Sequence, residues 1–183
     1  MGSKQAWKDE WAPMGTATPG HLEVPLLSKE FIDEAKDIVT EAFSPREYSF
    51  EMFWRTLIFN TTHSGQSTSS QAPPEYAQSF KAYREVVDLL IRRAVGDKRS
   101  LYLKALDFDQ AFASYASGRK FGITQGLRMG MFPNTTEQGH VIFAPMGANV
   151  PFVLREAGNG RHTLVGECYL HGVMYGELAE EPG

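Results

Sequence analysis

From residue 28 to 117 apolar side chains recur three and four apart, and from Gly118 onward the spacing shortens toward two. The first pattern predicts helices and the second predicts strands. Phe31, Ile32, Ala35, Ile38, Val39, Ala42 and Phe43 mark one face of a first helix that opens at Ser28, a hydroxyl N-cap. It stops at Ser44-Pro45, because the residue before a proline is driven out of the α region. A second helix opens at Ser49 and turns Phe50, Phe53, Trp54, Leu57 and Ile58 inward. A third runs over 75–95 behind Tyr76, Phe80, Tyr83, Val86 and Val87, and a fourth over about 103–117 behind Leu106, Phe112, Tyr115 and Ala116. Between the second and third, residues 60–71 are polar and of low complexity, the composition of a mobile surface loop.

Twelve of the seventeen glycines fall at or after Gly118, which marks a region of short strands and tight corners. Strands are expected near 120–124, 127–131, 140–144, 151–155 and 162–170, with Gly158-Asn159-Gly160 as a tight turn. Pro151 must start a strand or sit on an edge, since it cannot donate to a ladder. The expected fold class is α+β: N-terminal helices packed on a small C-terminal five-stranded β-barrel. The organisation that follows is an extended arm over 1–27, a helical region over 28–117 and the barrel over 118–183. Within the arm Pro13, Pro19 and Pro25 prevent a long helix, while the spacing of Trp7 and Trp11 allows one helical turn that places both indoles on one face.

The formal net charge is −4, which speaks against a phosphate-tracking nucleic-acid surface. The two basic clusters, Arg92-Arg93 and Lys98-Arg99, sit at a helix end, where they are read as complements to the macrodipole. Cys168 is the sole cysteine, so neither an intramolecular disulfide nor a Cys-based zinc site is available. Such usage suits a reducing compartment. No apolar stretch has the length of a membrane span, and the expected location is cytoplasmic, with no membrane partner.

Candidate chemistry gathers in the last strand. In an unbroken extended segment Val165, Glu167, Tyr169 and His171 share one face, and Gly166, Cys168 and Leu170 share the other. Facing a lumen, Glu167, Tyr169 and His171 supply an acid, a phenol and an imidazole able to move a proton or polarise a carbonyl. Facing out, they form a solvated rim over a core of Cys168 and Leu170. Packing is the commoner role for such a strand. Arg155 at a strand end is a candidate for holding an anion, and Phe152 and Tyr175 are candidates for the wall of a substrate site. The five histidines show no metal-ligand spacing, so neither a metal nor a cofactor is expected. Cys168 has no base beside it in sequence and reads as a small buried hydrophobe.

Several segments together resemble one family. They are Gly118-Arg-Lys-Phe-Gly-Ile-Thr124, Leu127-Arg-Met-Gly130, Gln138-Gly-His-Val141, Val150-Pro-Phe-Val-Leu-Arg155 and Val165-Gly-Glu-Cys-Tyr-Leu-His-Gly172. Upstream, Phe53-Trp-Arg-Thr-Leu-Ile58 and Pro74-Glu-Tyr-Ala-Gln-Ser-Phe80 extend the likeness to about residues 50–178. The chain resembles the C-terminal region of fungal heterokaryon-incompatibility (HET) proteins. It departs from their pattern at His140, where members usually carry an acidic residue, and the resemblance implies the C-terminal portion without the N-terminal domain associated with the family's cell-death activity.

Two classes of function follow. One is a cofactor-independent binder of a hydrophobic small molecule, or a cyclase or isomerase of fungal secondary metabolism. In such an enzyme an apolar pocket lined by residues such as Phe121, Met129, Met131 and Phe132 folds the substrate. The other is a non-catalytic HET-like interaction module with a protein partner, in fungal self/non-self recognition.

Overall fold

The computed structural model describes residues 7–10, 24–43, 49–62, 71–94 and 98–174. Four helices and seven strands occur among them: β1 (Trp7–Glu10), α1 (Val24–Ala42), α2 (Phe50–Leu57), α3 (Tyr76–Ile91), α4 (Arg99–Tyr115), β2 (Arg119–Ile123), β3 (Met129–Pro133), β4 (Val141–Ala144), β5 (Phe152–Glu156), β6 (His162–Glu167) and β7 (Tyr169–Leu170). The class is α+β: the four helices precede β2 to β7 as the change of period predicts, and β1 comes before them.

Two helices start earlier than their apolar stripes. α1 opens at Val24, with Pro25 in its first turn, where a missing N–H breaks no intrahelical bond. Ser28 is therefore a buried residue of the helix and not its cap, and its hydroxyl meets that of Tyr83. α4 opens at Arg99 behind Lys98, which puts two cations at the positive end of a helix dipole. The expected complement to the macrodipole holds for the other cluster, Arg92-Arg93, which follows the C-terminus of α3.

Among the described residues the ladders do not close into the expected five-stranded barrel. They make a four-stranded sheet in the order β1-β4-β5-β6 and a three-stranded sheet in the order β2-β3-β7, with every pairing antiparallel and no ladder joining the sheets among the described residues. The physical cause lies in the last segment, expected as one strand. It breaks after Cys168, whose N–H makes the last bond beside β5, to Pro151 O at 3.0 Å. β6 then stays with β5 while β7 joins β3, with His171 N donating to Met129 O at 2.9 Å. A chain that turns a corner between packed sheets does so through such irregularities, and a bulge at Val153/Leu154 lies alongside. Trp7 belongs to a strand paired with β4, opposite Ala144, and not to a helical turn; Trp11 lies outside the described residues.

This arrangement gives two cores. The larger lies between the helices and one face of the three-stranded sheet, uniting Phe31, Trp54, Phe80, Phe108, Phe121, Met131 and Tyr169. The smaller fills the space between the sheets with Phe132, Ile142, Val153, Cys168, Leu170 and Val173. β3 and β7 are consequently buried on both faces: Met131 and Tyr169 point to the helices, Phe132 and Leu170 to the other sheet. The Gly158-Asn159-Gly160 turn takes positive φ at all three residues and closes the β5–β6 hairpin through Arg161 N to Gly158 O at 3.0 Å. At the departure from the HET pattern, buried His140 accepts the Glu137 N–H on Nδ1 at 3.1 Å, the acceptor role a carboxylate would fill.

Most of the polar segment over 60–71 lies outside the described residues, but its ends are tied by an isolated bridge between Thr61 and Gln71. No helix among the described residues is long and apolar enough to cross a membrane.

Candidate functional site

A cavity of about 280 Å³ opens between α2 and the β3–β7 edge of the three-stranded sheet. Ser49, Glu51, Met52 and Arg55 line it from α2 and its cap, Asn60 and Gln71 from the loop stems, and Tyr169, His171, Gly172 and Met174 from the end of the chain's last strand. Its lining is mainly polar, with the two methionines as the apolar part.

Arg55 is the centre of this wall. α2 buries Phe53, Trp54, Thr56 and Leu57, and Arg55 lies at the edge of that face with only 11% of its side chain exposed. Its Nη1 donates to Asn60 Oδ1 at 2.6 Å and to the Ala72 carbonyl. Its Nε and Nη2 donate to one oxygen of Glu51, Oε1, at 2.9 and 2.7 Å. The guanidinium also sits 4.5 Å from the centroid of the buried Trp54 ring. Asn60 reaches it because Phe59 and Asn60 both take left-handed φ, 58° and 50°, after the last turn of α2. That reversal returns Asn60 N to Arg55 O at 2.7 Å.

The opposite wall is built by the sheet switch. Tyr169, 1% exposed, stacks on Phe59 with centroids 5.2 Å apart, and Phe59 stacks in turn on Tyr115 at 5.5 Å. The Tyr169 hydroxyl lies 3.1 Å from His171 Nδ1, so the phenol and imidazole form a hydrogen-bonded pair at the cavity wall.

Of the residues singled out from sequence, Tyr169 and His171 are brought together, and Glu167 is not with them. The break at Cys168 leaves Glu167 exposed at the end of β6, where its carbonyl accepts from Arg119. Arg155 and Phe152 lie on β5 in the other sheet and do not line the cavity, and Tyr175 lies outside the described residues. Cys168 is buried between the sheets, and loss of solvent pushes its thiol up to about 12, which suits packing and not attack. No group of three or more metal-ligating side chains is placed to hold an ion among the described residues.

Arg55 and Glu51 went unnoticed in the sequence. The available signal was their spacing of four on an amphipathic helix, which pairs opposite charges but is common on solvated faces.

The model of the Het-6 β-barrel domain matches residues 59–182, more than half of the chain. The chain belongs to the Het-6 β-barrel domain family. The resemblance to HET proteins is thereby established for the region from Phe59 onward. No curated protein and no solved structure matches the chain. The Het-6 match takes in Asn60, Gln71, Tyr169, His171, Gly172 and Met174, whereas Ser49, Glu51, Met52 and Arg55 precede it. The cavity is thus the seam between the Het-6 domain and the helix before it.

Proposed function

We propose that this protein is a HET-type module that works by binding a small ligand in the cavity between α2 and the three-stranded sheet. One observation carries this reading: a fixed guanidinium, an amide and a phenol–imidazole pair converge from separate elements on a space of about 280 Å³. Few convergent polar groups in a concave site are the usual signature of ligand recognition. The polar lining speaks for recognition by hydrogen bonding and charge over the shape-selective folding of an apolar substrate. The space between the two sheets, where a lumen would lie, is occupied by Phe132, Ile142, Val153, Cys168 and Leu170.

The test is a fragment screen by ligand-observed NMR on the full chain, repeated on Gln71→Trp, which places an indole at the exposed rim. Fragments bound by the native protein and lost in the folded variant support the site. An equal response in both sinks it.

The Tyr169–His171 contact favours a second reading, in which the pair transfers a proton to or from the bound molecule. Turnover of a ligand found in the screen, abolished by His171→Gln with binding retained, would distinguish catalysis from recognition.

A further inference from the structure

We infer that the ligand of this cavity is a small carboxylate, held by the Nε/Nη2 edge of Arg55 in place of Glu51. The inference rests on the binding reading above and names its ligand class. The two edges of the guanidinium are held differently. Nη1 is closed by partners that belong to the fold: Asn60, buried and positioned by its left-handed backbone, and the Ala72 carbonyl. With its carbon over the Trp54 ring, the group is set in one orientation before anything binds.

The other edge carries only Glu51. That carboxylate is 60% exposed, comes from the preceding turn of the same helix, and offers a single oxygen to both nitrogens. A planar carboxylate matches the Nε/Nη2 edge with two parallel bonds, a geometry that Glu51 does not make here. Glu51 is the exposed partner of the pair and keeps its carboxylate in water, so its exchange for a two-point contact inside the cavity is favourable. Glu51 then serves as a stand-in that neutralises Arg55 while the site is empty of ligand. Met52 and Met174 supply apolar contact for a short chain behind the carboxylate. Arg155, the arginine that the sequence suggested for an anion, has no such setting: it is exposed on β5.

The experiment uses the full chain labelled with 15N-arginine and titrated with acetate, butyrate and hexanoate at constant ionic strength. The corresponding alkylamines serve as controls. The Arg55 Nε–Hε resonance, assigned by its loss in Arg55→Lys, is expected to shift saturably with the acids and not with the amines. Affinity is expected to increase from acetate to hexanoate. Glu51→Gln is expected to tighten binding about two- to fivefold, the share that an exposed ion pair had held back.

Neutral fragments that bind the native protein but not Gln71→Trp, with no carboxylate effect on Arg55, would overturn the ligand class and leave the site standing. Absence of both would overturn site and ligand together. Unchanged or weaker carboxylate binding in Glu51→Gln would overturn the stand-in role. Where Arg55→Lys fails to fold, the resonance is assigned by its displacement in Glu51→Gln, which removes the charge that it bonds, and that variant and the native titration decide the matter.

Discussion

Replacing Gly130 by alanine would put a methyl group into the place where the cavity's far wall joins the sheet. Gly130 lies on β3 opposite Leu170, and a Cβ built there stands 2.6 Å from the Tyr169 carbonyl oxygen and 2.5 and 2.8 Å from two atoms of the Phe132 ring. Relief requires a movement of about 0.7 Å or more between carbon and oxygen, and dense interiors yield little. The ring is fully buried and the oxygen belongs to backbone, so neither is a flexible end that swings away. Overpacking of this kind costs about 1–3 kcal/mol, and disturbing the two-residue β3–β7 ladder adds about 1 kcal/mol for a weakened hydrogen bond. The alanine recovers about 0.4–1 kcal/mol by stiffening the unfolded chain. The net expectation is a loss of about 1–3.5 kcal/mol, a sizeable part of the stability of an ordinary domain.

Urea unfolding followed by tryptophan emission measures it as a lower midpoint at unchanged slope. Gly118→Ala is the reference: Gly118 has a φ of 69° and nothing within 4 Å of an added Cβ, so it reports backbone strain alone, about 1 kcal/mol. A Gly130→Ala loss no larger than that of Gly118→Ala would refute the steric reasoning. In a Phe132→Leu background the ring contacts are gone, so Gly130→Ala should still cost most of its energy there; no cost in that background would assign it to the ring instead of the Tyr169 backbone.

Thr136→Val should stabilise the protein by up to about 1 kcal/mol, because it removes a buried hydroxyl oxygen that has no hydrogen-bond partner and keeps the shape; a lower thermal midpoint would contradict this. Stability should decline above about pH 9, because burial raises Cys168 from 9.0 to about 12 and Tyr83 from 10.0 to about 12. In both cases the unfolded chain loses its proton first, so the stabilisation is complete below the unfolded values and is lost as pH rises through the folded ones. Cys168→Ala should flatten the alkaline limb of a pH–stability curve, and an unchanged slope would count against the assignment. Lys98→Asp should stabilise by about 0.3–1 kcal/mol through the α4 dipole. No further gain from side-chain capping is expected, since Lys98 has αR angles and not the extended ones a capping residue uses. A denaturation midpoint at or below the native value would refute it.

Period and punctuation made the helices and hairpins legible, since α2, α3 and the Gly158-Asn159-Gly160 turn follow from local chemistry alone. What stayed hidden depended on distant partners. Nothing local in Val165-Gly-Glu-Cys-Tyr-Leu-His171 marks Cys168 as the residue where one sheet ends and the other begins. The break is imposed by β3 and β5 competing for the same segment. The period-two reading therefore set Glu167 beside Tyr169 and His171, although it belongs to a different sheet. The start of α4 was missed for a related reason: cations at a helix N-terminus oppose its dipole, and packing against α3 outweighs that cost. Arg55 stayed hidden because its role comes from Asn60 and Ala72, which reach it only through the left-handed turn after α2.

The break at Cys168 is also what creates the site. Had the last segment continued as one strand beside β5, Tyr169 would have stayed in the four-stranded sheet, away from Phe59. By crossing to β3, the chain sends Leu170 and Cys168 between the sheets and turns Tyr169 toward the helices. His171 follows one step later, fixed by its backbone bond to Met129, and comes within 3.1 Å of the Tyr169 hydroxyl. The corner thus lets one short segment close the inter-sheet core and furnish a wall of the cavity. It also explains why the seam needs α2: a two-residue strand presents too little surface to enclose a ligand, and Arg55 supplies the facing wall with the charge.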